Sequence, residues 1–287
     1  MSISLNFLLT NRIPRRFTTL FMGWFTQLEL PIIRDASLAL WKACAELNLH
    51  EAKKARFTSV RDCFTRELKP GARPIDSGAD VLVSPCDAIV GACGRIRGTQ
   101  LFQAKGFGYT LDDLLCDEAL IARYRDGHYV TLRLTSSMYH RFHAPTDGRV
   151  DEVIYISGDT WNVNPIALRR VERLFCKNER AIVDFRSHDA DESIALVAVA
   201  AILVASMRFT FLDVTLSLKY RGPNRIPCEA TFRKGDELGH FLIGSTIIVF
   251  SSDRFVLCDG VAEGTRIRMG EALLRRACAA ALPTMSL

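Results

Sequence analysis

Phe241-Leu242-Ile243-Gly244-Ser245-Thr246-Ile247-Ile248-Val249-Phe250 joins two apolar runs across a Gly-Ser-Thr step. Ile247 to Phe250 are β-branched or aromatic without a break, the composition of a strand. The same texture recurs upstream once Lys69-Pro70-Gly71 and Pro74 are passed. Val81-Leu82-Val83, Tyr129 to Leu134, Val150 to Ile156, Ala181 to Phe185 and Phe211 to Leu218 are short apolar runs divided by turn residues. They predict a β-rich, barrel- or sandwich-like core. Pro145-Thr146-Asp147-Gly148 lies between two of these runs and predicts a hairpin-like reversal, with His140 and His143 on its approach. Leu111 to Leu115 and Pro165 to Phe175 read as short helices between strands. No internal repeat or low-complexity tract interrupts the pattern.

The first residues differ in kind. Phe17, Leu20, Phe21, Trp24, Phe25 and Leu28 fall on one helical stripe, with Arg12, Arg15 and Arg16 just before it. Cations that meet phosphates, followed by aromatic rings that enter the acyl boundary, suit a helix lying in a membrane interface. A helix packed on the core has the same periodicity, so that alternative stands beside it. A second helix is expected near Asp35 to Leu49, after Pro31, with Asp35 as its cap. The fold class expected is therefore α+β: an N-terminal helical, membrane-associating segment over 1–65 and a β-rich catalytic core over 66–287.

Charge supports that division. The net +5 resides in residues 1–70, where 11 Lys/Arg oppose 6 Asp/Glu, while the remaining residues hold 26 of each. A basic N-terminal segment suits an anionic surface. The basic residues do not interleave with aromatics across the β region, which argues against nucleic acid. The longest uncharged stretch, Ser193 to Met207, falls short of the roughly 20 residues a spanning helix needs, and reads as a buried strand or core helix. Ser2 to Thr10 has no basic cluster before it, so a cleavable signal is not expected. Nine scattered cysteines form no Cys-x-x-Cys pair, which favours a reducing compartment and disfavours a zinc ribbon. His140 and His143 have no further ligands nearby in sequence, so no metal is expected. A serine hydrolase is disfavoured because no Gly-x-Ser-x-Gly elbow occurs.

Gly244-Ser245 places a hydroxyl directly after a glycine, where Ser245 could attack the carbonyl of Gly244 and begin to cut its own backbone. A Gly-Ser-Thr step alone is a common turn. Its neighbours add weight: Lys234-Gly235-Asp236-Glu237-Leu238-Gly239-His240-Phe241 leads into it, and Tyr139-His140-Arg141-Phe142-His143-Ala144-Pro145 lies a hundred residues earlier. With Ser84-Pro85-Cys86-Asp87, Gln103-Ala104-Lys105-Gly106 and Asn178-Glu179-Arg180, these segments resemble phosphatidylserine decarboxylase proenzymes, from about Phe57 nearly to the C-terminus. Ile243 stands where that family often has Leu, and Ala88 where it often has Gly.

That resemblance implies a self-processing enzyme. Ser245 is the nucleophile, His143 the base and Asp87 its partner, in the logic of a Ser-His-Asp set. The ester so formed eliminates, leaving a pyruvoyl group on the new N-terminus of residues 245–287 and a second chain of 1–244. This cofactor would form a Schiff base with phosphatidylserine and accept the electrons released with CO2, giving phosphatidylethanolamine. His140 maps to the acid that then protonates the carbanion. Taken singly, each of these four residues would more often be structural; their joint occurrence within family-like runs favours catalysis. Tyr139 and Arg141 are expected to shape the site, and His240 is adjacent without a role. The resemblance further implies a peripheral position on the cytoplasmic face of the inner membrane, and a heterodimer of the two fragments that could itself dimerise. A pyruvoyl decarboxylase of a soluble amino acid and a non-catalytic membrane-binding relative are the alternatives.

Overall fold

The computed structural model describes residues 14–104, 107–187, 193–202, 206–242 and 245–277, with Ala104 and Ser245 described in the backbone only. Arg12, Gly244 and the Lys105-Gly106 pair fall outside the described residues. Among the described residues three helices come first: α1 (Arg15–Phe25), α2 (Pro31–Cys44) and α3 (Val60–Phe64). From Val81 onward the chain is chiefly strand. In order come β1 (Val81–Val83), β2 (Ala88–Arg95), β3 (Gln100–Ala104), β4 (Phe107–Thr110), β5 (His128–Leu134), β6 (Arg141–His143) and β7 (Gly148–Ile156). After them come β8 (Arg180–Ser187), β9 (Ser193–Ala200), β10 (Ser206–Phe209), β11 (Thr215–Ser217) and β12 (Arg225–Phe232). The last are β13 (Glu237–Phe241), β14 (Ser245–Ser251), β15 (Phe255–Leu257), β16 (Arg266–Ile267) and β17 (Ala272–Arg276). Four short helices interrupt them: α4 (Leu111–Leu115), α5 (Glu118–Tyr124), α6 (Pro165–Leu168) and α7 (Leu174–Lys177).

The organising element is an eight-stranded antiparallel sheet in the order β12-β7-β8-β9-β14-β5-β2-β16. Ile194–Ala200 of β9 and Ile247–Phe250 of β14, at its middle, are apolar without a break because both faces are covered. Ile247 and Val249 of β14 join one cluster with Phe142, Phe209, Leu238 and Phe241 of a second, four-stranded sheet, β11-β10-β13-β6. Ile248 and Phe250 point the other way, into a cluster built by the short helices and the β3-β4 ribbon. The expected α+β class and β-rich core are present as layers of open sheet, not a closed barrel. Ser193 to Ala200 is the buried strand β9, every residue of it buried.

Several local expectations are corrected. The Pro145–Gly148 turn makes no hairpin: β6 pairs with β13, whereas β7 pairs with β12 and β8, so the turn carries the chain from one sheet to another. The second helix starts at Pro31, not after Asp35, because proline at the first helical position loses no hydrogen bond. Asp35 instead pairs with Arg34. Residues 165–175 form two helices, α6 and α7, separated where Arg173 adopts φ 50°. Of Phe211 to Leu218 only Thr215–Ser217 is strand, the preceding residues being the turn out of β10. Ala88 opens β2 fully buried and without positive φ, so the missing glycine costs no strain there.

A candidate active site at the head of the central strand

Ser245 is the first residue of β14, and its backbone lies opposite Leu134 of β5 and Ala200 of β9. The chain reaches it from β13, where the Phe241 amide donates to the His140 carbonyl at 3.0 Å. From Leu134, the β5-β6 connection runs through Thr135 to Tyr139 and returns to His140. Both predicted histidines thus stand at or beside β6, which pairs with β13, the strand that precedes β14 in the chain. Thr246, next along β14, is fully buried and its hydroxyl has no hydrogen-bond partner.

His143 ends β6, paired with Glu237 across a bulge in β13. Its Nδ1 lies 2.8 Å from the Gly235 carbonyl and its Nε2 3.0 Å from the Tyr139 hydroxyl. A carbonyl only accepts, so Nδ1 must carry the proton, and Nε2 of the neutral ring presents a lone pair. Burial pushes this imidazole below its ordinary pKa, which keeps it neutral. Gly235 can offer its carbonyl here because it turns at φ 88°, where a side chain would meet Ile75 at 2.1 Å.

His140 is sealed completely. Its Nδ1 lies 2.8 Å from the Met138 carbonyl, which fixes the same tautomer, and its Nε2 has no partner. The Phe64 ring covers it with centroids 3.8 Å apart. Burial, assisted by the nearby Arg66 cation, lowers its pKa to about 3.

Asp87 is positioned differently from a triad carboxylate. Arg73 grips it with two bonds, Nε to Oδ1 at 2.8 Å and Nη2 to Oδ2 at 2.6 Å, and the Met269 amide donates to Oδ1 at 2.9 Å. No hydrogen bond joins it to His143. The two are nonetheless neighbours through the backbone, since the His143 amide donates to the Pro85 carbonyl at 2.8 Å. The Asp87 charge also contributes, at longer range, to the field at His143. Arg141 is committed to Glu237, at 2.7 and 2.8 Å, and to the Thr65 carbonyl. His240 lies 3.8 Å from Glu237.

Three contributors were not singled out from sequence: Arg73, Gly235 and Glu179. The first two act through spatial contacts that no local spacing announces. Glu179, within the Asn-Glu-Arg run, had a signal in being a carboxylate beside apolar β8. It is fully buried, accepts from the Tyr155 hydroxyl at 2.7 Å, and leaves Oε2 without a partner. Burial raises its pKa to about 7. Its carbonyl accepts from Ala200, the register partner of Ser245.

On α1, Phe17, Leu20, Phe21 and Trp24 are 70, 44, 47 and 56% exposed, and Phe25 is half-buried. Arg16 is exposed too, whereas Arg15 faces the protein, bound to Asp159 at 2.5 Å and stacked over Trp161. Among the described residues no helix is long and apolar enough to cross a membrane, and no cluster of His, Cys, Asp and Glu could hold a metal ion.

A family model described as phosphatidylserine decarboxylase matches residues 60–275. Proteins named phosphatidylserine decarboxylase proenzyme are similar over nearly the whole chain. That of Polaromonas naphthalenivorans is 35% identical over 272 residues, covering 91% of this chain and 93% of the relative. That of Methylibium petroleiphilum is 36% identical over 281 residues, covering 95% and 98%. That of Dickeya dadantii is 33% identical over 276 residues, covering 92% and 90%.

Proposed function

Because this chain belongs to the phosphatidylserine decarboxylase family, we propose that it cuts itself between Gly244 and Ser245 and then decarboxylates phosphatidylserine to phosphatidylethanolamine. One observation carries the reading. Two neutral histidines, each with its tautomer fixed by a backbone carbonyl, lie at or beside β6, against the strand β13 that precedes Ser245 in the chain, which supports the reading.

In the first reaction His143 receives the Ser245 hydroxyl proton on Nε2 once the Tyr139 hydroxyl gives way. The Gly235 carbonyl then stabilises the imidazolium through Nδ1, a part played by a carboxylate in a conventional triad. Asp87 acts through its charge and by anchoring, with Arg73, the loop that abuts β6. In the second reaction the residues suit a pyruvoyl group on the new terminus: the His140 Nε2 and the Thr246 hydroxyl are buried polar atoms still in need of partners. Such a group would supply the electron sink that ordinary side chains lack. His140 takes one proton from the substrate ammonium at its bare Nε2 and returns it to the substrate carbon after CO2 departs.

The segment 1–65 serves as the membrane-associating part and 66–287 as the catalytic core. Arg16 with Phe17, Phe21, Trp24 and Phe25 form the lipid face, Arg12 before them in sequence adds a further cation for lipid phosphates, and Arg15 tethers α1 to the core. The exposed aromatic stripe favours interfacial binding over packing on the protein. The protein is then peripheral, on the cytoplasmic face of the inner membrane. Mass spectrometry under denaturing conditions tests the whole: pieces 1–244 and 245–287 are expected, and an Ser245→Ala chain should stay whole. A wild-type chain that remains uncut on prolonged incubation would overturn the reading.

A further inference from the structure

A cavity of about 190 Å³ opens beside the candidate active site, with Asp87, Met138 and Tyr139 in its wall. That volume equals roughly six waters, too small for a lipid but adequate for a headgroup. Its lining is dominated by charge: four arginines, Arg66, Arg73, Arg266 and Arg268, face three carboxylates. Arg73 is neutralised twice, by Asp87 at 2.6 Å and Glu51 at 3.0 Å, and Arg266 pairs with Glu46 at 3.4 Å. Among the described residues Arg66 and Arg268 have no such partner. Arg66 is 5% exposed and donates only to the carbonyls of Cys63, Ser137 and Met138, while its Nε donates to nothing. A buried guanidinium with no carboxylate against it is costly unless an anion completes it.

We infer that this cavity, with Arg66 and Arg268 as its free cations, holds the phosphodiester of the serine phospholipid. The inference rests on the decarboxylase reading and deepens it by naming the headgroup site.

Two anions of the substrate could pair with arginine, and the chemistry selects between them. A guanidinium clasping the carboxylate would stabilise the group that must leave as neutral CO2, which raises the barrier. The phosphodiester is unchanged by the reaction, so charge spent there binds ground and transition states alike. Position agrees as well. One ester oxygen and one methylene separate phosphorus from the reacting carbon, and the cavity wall is the 135–139 connection that leads directly into His140. A phosphate site would also distinguish a phospholipid from a free amino acid.

Calorimetry on the uncut Ser245→Ala protein, with glycerophosphoserine, inorganic phosphate and free serine as separate probes, is the direct test. Glycerophosphoserine should bind more tightly than either of the others. Adding Arg268→Gln, an exposed position whose replacement spares the fold, should weaken it about tenfold and leave serine unaffected. In the mature enzyme, Arg268→Gln should raise KM for phosphatidylserine in micelles about tenfold while kcat falls less than twofold. Arg66→Lys, checked for folding by circular dichroism, should act in the same direction. Equal binding of serine and glycerophosphoserine, or an unchanged KM, would overturn the inference; phosphate alone binding as tightly as glycerophosphoserine would replace the headgroup by a general phosphate site. If the Arg268-dependent binding appears while the wild-type protein releases no CO2 from phosphatidylserine, the cavity assignment survives and the decarboxylase reading fails.

Discussion

Phe64 lies over His140 with ring centroids 3.8 Å apart and planes inclined by 33°. Phe64 is itself 2% exposed and stacks on Trp41 of α2 at 5.8 Å. Ile32 and Leu40, on that same helix, are 86 and 66% exposed. Two rings therefore connect a helix with apolar surface to a fully buried histidine whose Nε2 has no partner. Any substrate that reaches His140 must displace Phe64 or pass beside it.

Replacing Phe64 by Ala should cost about 3–5 kcal/mol, the range for emptying a buried phenylalanine site, read from urea unfolding of the Ser245→Ala chain. It should also hydrate His140 and raise its pKa from about 3 toward the ordinary histidine value, read by NMR titration of the ring. A pKa that does not move would mean that something other than Phe64 seals this site. Phe64→Leu should have the smaller effect on both.

Glu179 makes stability depend on pH in a defined direction. Its folded pKa of about 7 lies above the ordinary glutamate value of about 4.5. The unfolded chain therefore ionises first as pH rises, and the contribution of the protonated carboxyl, complete below about 4.5, drains away until about 7. The full effect is at most about 3 kcal/mol. Glu179→Gln should flatten the fall in denaturation midpoint between pH 5 and 7. A parallel fall in both proteins would refute this assignment.

The two histidines should separate by reaction. His143→Ala is expected to slow self-cleavage by at least about a hundredfold, the usual scale for loss of a general base. His140→Ala should yield two fragments on a denaturing gel yet lose decarboxylation by a comparable factor. Exchanged phenotypes would reverse the roles.

Arg73→Met should leave the Asp87 carboxylate, 8% exposed, without its counter-ion. Breaking a buried pair on one side costs roughly 3–5 kcal/mol, and chemical denaturation would measure it. Adding Asp87→Asn should recover part of that loss. A double variant no more stable than Arg73→Met would show that packing of the guanidinium outweighs its charge.

How much could be read from the chain follows from where each signal resides. Ile247 to Phe250 declared itself a strand, and Ile194 to Ala200 a buried element that could be strand or core helix, because elements covered on every face are apolar throughout. Arg225–Phe232 did not: as an edge strand with one face in solvent it alternates Arg, Pro, Glu and Thr with half-buried residues. The Pro145–Gly148 turn was legible, but its destination was not, since pairing partners are chosen by the packed sheets. His140, His143 and Asp87 were identifiable by their runs. The partners that set their chemistry, Phe64, Gly235 and Arg73, meet them only after folding, from 14 to 92 residues away in a chain where no local rule links them.

Since β14 is hydrogen-bonded along its length to β5 and β9, scission at its first residue would free a chain end without unzipping a single rung of the ladder. Residues 245–287 would then hold the middle plank of the sheet together with β15, β16 and β17. The two products would be one body in every mechanical sense, separable only by dismantling the core. Once parted, they would have to thread that plank back between two occupied neighbours, so thermal denaturation of the cut protein should be a one-way event.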